Sequence, residues 1–299
     1  MTRPLAPRPT PRAAAGFERR IDGCRVSLKQ VQSAFDDPGS DAPHVVLVHG
    51  MVDSGATWLP LLPLLPQLHV WVAEMPWSGL DGVHWPHVMP ATEWWRTALA
   101  LCPVRPALCV GHSFGALVLL DWALTTPQPQ IDALSLLAPF FCGRHRAIEW
   151  DELNRFAHNV PQRLSEGLRA RLGPALPSPT LVDGLARRLS ARCMPDAVIE
   201  LMRLFLKTRH ADPTRLRLPL QVLVGAQDGD LVRQSCSDLR LAAAGLPSAT
   251  FHEWAGCGHH PMHESPARLA LLLREQAGAA SPPSRLTTTT TESPECLPA

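Results

Sequence analysis

The chain has 299 residues, 45% hydrophobic and 18% charged, with a formal net charge of +1, which is enough for a sizeable core in one large domain or two small ones. That charge balance excludes a general nucleic-acid binder, which needs a basic excess to meet phosphates. No apolar run approaches the roughly 20 residues that span a bilayer, and the opening MTRPLAPRPTPRAAAG lacks the apolar stretch of a secretory signal, so neither nucleic acid nor membrane is an expected partner and the expected location is cytoplasmic.

Residues 1–16 are rich in Pro and Arg, and residues 281–299 (SPPSRLTTTTTESPECLPA) are a Ser/Thr/Pro tract. Neither can bury enough apolar area to offset chain entropy, so both are expected to be disordered tails. Between them, strand-like segments are expected at 24–35, at 45–48 ending in His-Gly, and at 69–73 leading to Pro76-Trp77-Ser78-Gly79. A helical period follows over 92–101, then a strand at 108–110, a helix over 114–124 and a strand at 133–137. Residues 140–216 carry amphipathic helical patterns broken by prolines and no convincing strand, which predicts an inserted helical cap. Strand 220–224, helix 231–243, strand 250–254 and helix 265–278 complete the pattern. Strands alternating with helices predict the α/β class, with a mainly parallel sheet covered on both faces. Its core is read in two parts, residues 17–139 and 217–280.

Eight cysteines form no CxxC pair and read as reduced, mostly buried thiols. The absence of tyrosine removes any chemistry that needs a phenol. Gly111-His112-Ser113-Phe114-Gly115 lies between an apolar strand and a helix. A G-x-S-x-G in that context turns the chain too sharply for side chains at the glycines and holds the serine hydroxyl strained and exposed. A serine hydroxyl needs a base, and the base needs an orienting acid. Downstream candidates are Asp228 and Asp230 after one strand, and His259 in Gly256-Cys257-Gly258-His259-His260-Pro261 after the last.

The order Ser, Asp, His resembles the α/β-hydrolase superfamily over roughly residues 20–278. On that resemblance Ser113 is the nucleophile, Asp228 in a G-x-x-D turn the acid, and His259 the base in a G-H-x-P-x-x-E-x-P stretch. His49-Gly50-Met51 is then the oxyanion loop, with the backbone N–H groups of Met51 and Phe114 as donors and His49 orienting the loop. HGM is not the HGGG signature of one lipase subgroup. Ser113 also separates the chain from relatives with aspartate at the elbow, and Ala138-Pro139-Phe140-Phe141 offers no acid at the alternative position.

His252, Cys257, His259, His260, His263 and Glu264 crowd together, but nothing there has ligand-motif spacing, and no metal is expected. Trp58, Trp71, Trp94, Trp122 and Trp254 are expected in the core. Trp77, Trp85 and Trp150 are considered for pocket lining, Trp77 and Trp150 foremost. Residues 140–217 hold fourteen basic against eight acidic side chains, a surplus of six. That surplus could attract an anionic substrate such as a coenzyme A ester or an acyl carrier protein, or could simply be a solvated face. The expected activity is cofactor-free hydrolysis of a carboxylic ester or thioester through an acyl-serine. Acyl transfer, C–C cleavage, lyase or perhydrolase chemistry and a non-catalytic binding role are the alternatives.

Overall fold

The computed structural model describes residues 16–34, 41–158, 160–172 and 178–280. The two segments expected to be disordered tails lie outside the described residues, apart from Gly16. Strands β1 (Gly16–Ile21), β2 (Cys24–Gln32), β3 (His44–Val48), β4 (His69–Glu74), β5 (Leu108–His112), β6 (Ala133–Leu137), β7 (Leu220–Gly225) and β8 (Ala249–Trp254) form one sheet in the order β1-β2-β4-β3-β5-β6-β7-β8. The pairs β1/β2 and β2/β4 are antiparallel and all others parallel. Helices α1 (Trp85–Val88) and α2 (Ala91–Ala100) follow β4, and α3 (Phe114–Thr125) follows β5. Between β6 and β7 come α4 (Trp150–His158), α5 (Val160–Leu172), α6 (Pro179–Ser190) and α7 (Pro195–Lys207). Helix α8 (Asp230–Ala242) joins β7 to β8, and α9 (Pro261–Glu264) and α10 (Pro266–Ala280) end the described chain.

The inner strands are short apolar runs because both faces of the sheet are covered: β5, β6 and β7 are buried at every residue. Successive side chains point to opposite faces, so Val46 and Val48 join the apolar cluster of α2, α3, α7 and α8, while Val45 and Leu47 join that of α10. Strand β1 was not expected. Its sequence GFERRI is charged and solvent-exposed, as suits an edge strand. The local signal was Asp22-Gly23, whose φ values of 46° and 81° make the two-residue hairpin turn to β2.

The described residues of the block 140–216 form four α-helices and two short 3-10 turns, Thr208–His210 and Pro213–Arg215, and no strand. Helix α7 buries Leu201, Leu204 and Phe205 in the same cluster as the sheet. It is tied down by Lys207 Nζ to Asp121 at 2.6 Å and by Glu200 accepting from Ala91 N at 3.2 Å. It therefore packs with the sheet and α3 as part of one apolar cluster. No described helix is long and apolar enough to cross a membrane.

Candidate active site

The C-terminal ends of β3, β5, β7 and β8 converge on one edge, where open α/β sheets place their sites. Strand β5 runs into Ser113, whose φ of 54° and ψ of −116° are strained for a residue with a Cβ. The turn survives because both flanking glycines leave room. A Cβ on Gly111 would stand 2.7 Å from Ala116 Cα, and one on Gly115 would stand 2.5 Å from His49 O. The tight turn leaves Ser113 partly exposed at the N-terminus of α3.

His259 reaches this serine from the loop after β8. Its Nε2 lies 3.1 Å from Ser113 Oγ, and its Nδ1 lies 2.8 Å from Asp228 Oδ2. An ionised carboxylate only accepts, so Nδ1 carries the proton and the Nε2 lone pair is left to accept from the hydroxyl. The Asp228 side chain is 1% exposed and also accepts from Gly229 N at 2.6 Å. Asp230 sits outside this arrangement: its side chain is 95% exposed and pairs with Arg233.

Two supporting residues carried little signal in the sequence. Glu264 accepts from Gly258 N at 2.5 Å and from His260 N at 2.9 Å, clamping the loop that carries His259 from both sides. The glutamate of the G-H-x-P-x-x-E-x-P stretch was its only trace. His112, inside the elbow, donates from Nε2 to His259 O at 2.8 Å. Burial, then the neighbouring His259, pushes its pKa down to about 3.

The unfolded chain thus takes up a proton at His112 between about pH 6.5 and pH 3 while the folded chain does not. Stability must fall as pH drops through that window. His112→Gln keeps a donor but does not titrate, so its melting temperature should fall less steeply between pH 7 and pH 4 than that of the wild type. Parallel slopes in a melting series would show that this proton is not felt. His44, pushed to about 4 by burial and the stacked His69, adds a fall of the same sense in both proteins.

The loop after β3 is braced by side chains. His49 is buried, donates from Nδ1 to Gly50 O at 2.7 Å and accepts from Met75 N at Nε2 at 3.0 Å. Trp77 donates from Nε1 to His49 O at 3.1 Å, and its backbone carbonyl takes Val52 N at 2.9 Å. Its ring packs edge-on to Phe114 with centroids 5.3 Å apart. Phe114 is the first residue of α3, so its N–H has no intrahelical acceptor.

A cleft of about 860 Å³ runs along the His259–Asp228 side under α4 and α5. Its walls set Arg146, Arg155 and Arg169 against Glu152 and Glu166, so charge alternates rather than forming one basic face. Among the described residues its walls include neither Ser113, Trp77 nor Trp150. Trp77 is 1% exposed and supports the loop from behind, and Trp85 is equally buried, whereas Trp150 is 78% exposed on α4. Trp77 thus braces the loop after β3, and Trp150 stands largely in solvent. The five tryptophans expected in the core are all buried.

A family model described as "Alpha/beta hydrolase family" matches residues 45–270. A pimeloyl-[acyl-carrier protein] methyl ester esterase of Aromatoleum aromaticum (strain DSM 19018 / LMG 30748 / EbN1) is 29% identical over 252 residues, covering 78% of this chain and 97% of its own length. Among solved structures, a bacterial membrane phospholipase A superposes with a TM-score of 0.66 at 21% identity, over 89% of this chain and 86% of the other. The thioesterase domain of the curacin biosynthetic pathway gives 0.56 at 18% identity, over 88% and 99%.

Proposed function

The chain belongs to the alpha/beta hydrolase family, and we propose that it hydrolyses a carboxylic ester or thioester through an acyl-serine intermediate. The observation that carries this reading is the hydrogen-bonded series Ser113 Oγ, His259 Nε2, His259 Nδ1 and Asp228 Oδ2, with the serine held at the elbow. Ser113 Oγ attacks the carbonyl carbon as its proton passes to His259 Nε2. The oxygen that becomes negative takes hydrogen bonds from the N–H groups of Phe114 and Met51, aided by the positive end of α3. The intermediate collapses as His259 Nε2–H protonates the departing alcohol or thiol, leaving the acyl group on Ser113. Water, losing its proton to the same nitrogen, attacks the acyl-serine. Collapse then releases the acid and restores the serine hydroxyl. Asp228 holds the ring in the required tautomer and stabilises the imidazolium. No step uses a cofactor.

The relative acting on a pimeloyl-[acyl-carrier protein] methyl ester supports a substrate whose acyl group is borne on a larger anionic carrier. The basic surplus of residues 140–217 is consistent with attraction of such a carrier, or of a coenzyme A ester. A fluorophosphonate probe should label one serine, Ser113, and a panel of p-nitrophenyl esters and acyl-thioesters should be turned over. If carrier charge matters, kcat/KM for the anionic substrates should fall steeply with salt while that of neutral esters stays nearly flat. Absence of labelling and turnover would leave a non-catalytic binding role. A common salt response would make the basic surplus a solvated face.

A further inference from the structure

We propose that His84, His87 and Asp196 form a binding site for a divalent transition-metal ion of the zinc class. Among the described residues, these are the three ligand-type side chains whose donor atoms all lie within 4.8 Å of one another. Asp196 Oδ2 is shared by both imidazoles: His84 Nδ1 is in direct contact with it, and His87 Nε2 lies 3.3 Å away. Tetrahedral ligands at about 2.0–2.1 Å from zinc stand roughly 3.3 Å from each other, so the His87–Asp196 separation is already that of two ligands of one ion.

Local sequence sets the two histidines side by side. They stand three apart, at the N-cap and in the single turn of α1, so both rings leave the same side of the chain, 5.6 Å apart and within 20° of parallel. Trp85 between them points the other way and is buried against Trp77 and Phe114, with centroids 5.9 Å from each. That anchor prevents α1 from rolling and leaves His84 and His87 facing solvent, 57% and 70% exposed, with an entry path for an ion. Asp196 projects from the first turn of α7, whose Glu200 and buried Leu201, Leu204 and Phe205 hold it to the body. Donors on two anchored backbones need little ordering when the ion arrives.

The chemistry also fits. Two imidazoles and a carboxylate suit zinc and its neighbours, and three protein ligands leave at least one position for water. A neutral imidazole ring has one lone pair to give to a metal ion. His87 binds through Nε2. His84 binds through Nδ1 after its ring proton moves to Nε2, so a neutral ring loses no proton and a protonated one releases one to solvent. The bound ion joins α1 to α7 and so stiffens the wall that Trp85 and Trp77 build behind Phe114.

The test is calorimetric titration of ZnCl2 into the metal-stripped full chain at pH 7.5, with melting temperatures read at matched zinc. The wild type should bind zinc stoichiometrically and melt higher with it. His84→Ala, His87→Ala and Asp196→Asn should each weaken that binding by at least the roughly 10–100-fold that loss of a supporting partner costs, and should lose the shift in melting temperature. His87→Gln keeps the bulk and polarity of the side chain and repeats the test where an alanine variant melts abnormally. The proposal is overturned if the wild type binds no zinc, or if the variants bind it as the wild type does. The latter result would place the ion on the histidines around His259 or on thiols.

Discussion

Ser113→Ala should abolish fluorophosphonate labelling and lower kcat by roughly 10⁴–10⁶-fold, leaving a small residue from the oxyanion donors and binding. The loss is large because, in the proposed mechanism, the hydroxyl that lies 3.1 Å from His259 Nε2 is the atom that forms the covalent bond. Alanine bears the same Cβ at φ 54°, so the elbow costs the variant about what it costs the wild type, and melting temperature should change little. His259→Ala should be nearly as damaging, and the double variant little worse than either, because the members act as a unit. A Ser113→Ala protein retaining a tenth of the turnover would remove this residue from the reaction.

Asp228→Asn should cost about 10⁴-fold in kcat, while Asp230→Asn should cost no more than a small factor. An asparagine amide facing His259 Nδ1 favours the tautomer with the proton on Nε2, which then points a hydrogen at Ser113 where a lone pair is needed. The imidazolium formed during attack also loses its counter-charge, in a place where the carboxylate is almost fully buried. Asp230, exposed and paired with Arg233, has neither role to lose. Steady-state kinetics of the two variants on one ester suffices, and equal losses would move the orienting role away from Asp228.

The α/β class and the strand and helix order were legible in the sequence because burial on both faces leaves short unbroken apolar runs such as LCVGH and LQVLVG. The elbow was legible because glycine is the residue that fits where a Cβ would meet backbone at 2.5–2.7 Å. Edge strand β1 was not, since an exposed strand carries charges and shows no apolar run, and only its Asp-Gly turn marked it.

What the sequence by itself determined, then, is what depends on neighbours in the chain: the glycine-flanked elbow at Ser113, the order in which Ser113, Asp228 and His259 follow one another, and the run of strands and helices. What only the tertiary structure decided is what depends on where distant segments meet. Asp228 rather than Asp230 faces His259, because the first residue of α8 turns its side chain outward. Trp77 braces His49 from behind, and Trp150 stands in solvent. His112 holds a carbonyl 147 residues away, and His84 meets Asp196 across 112 residues. A side chain's partner across such separations is set by the packing of the elements that carry both residues, and no local spacing records that packing.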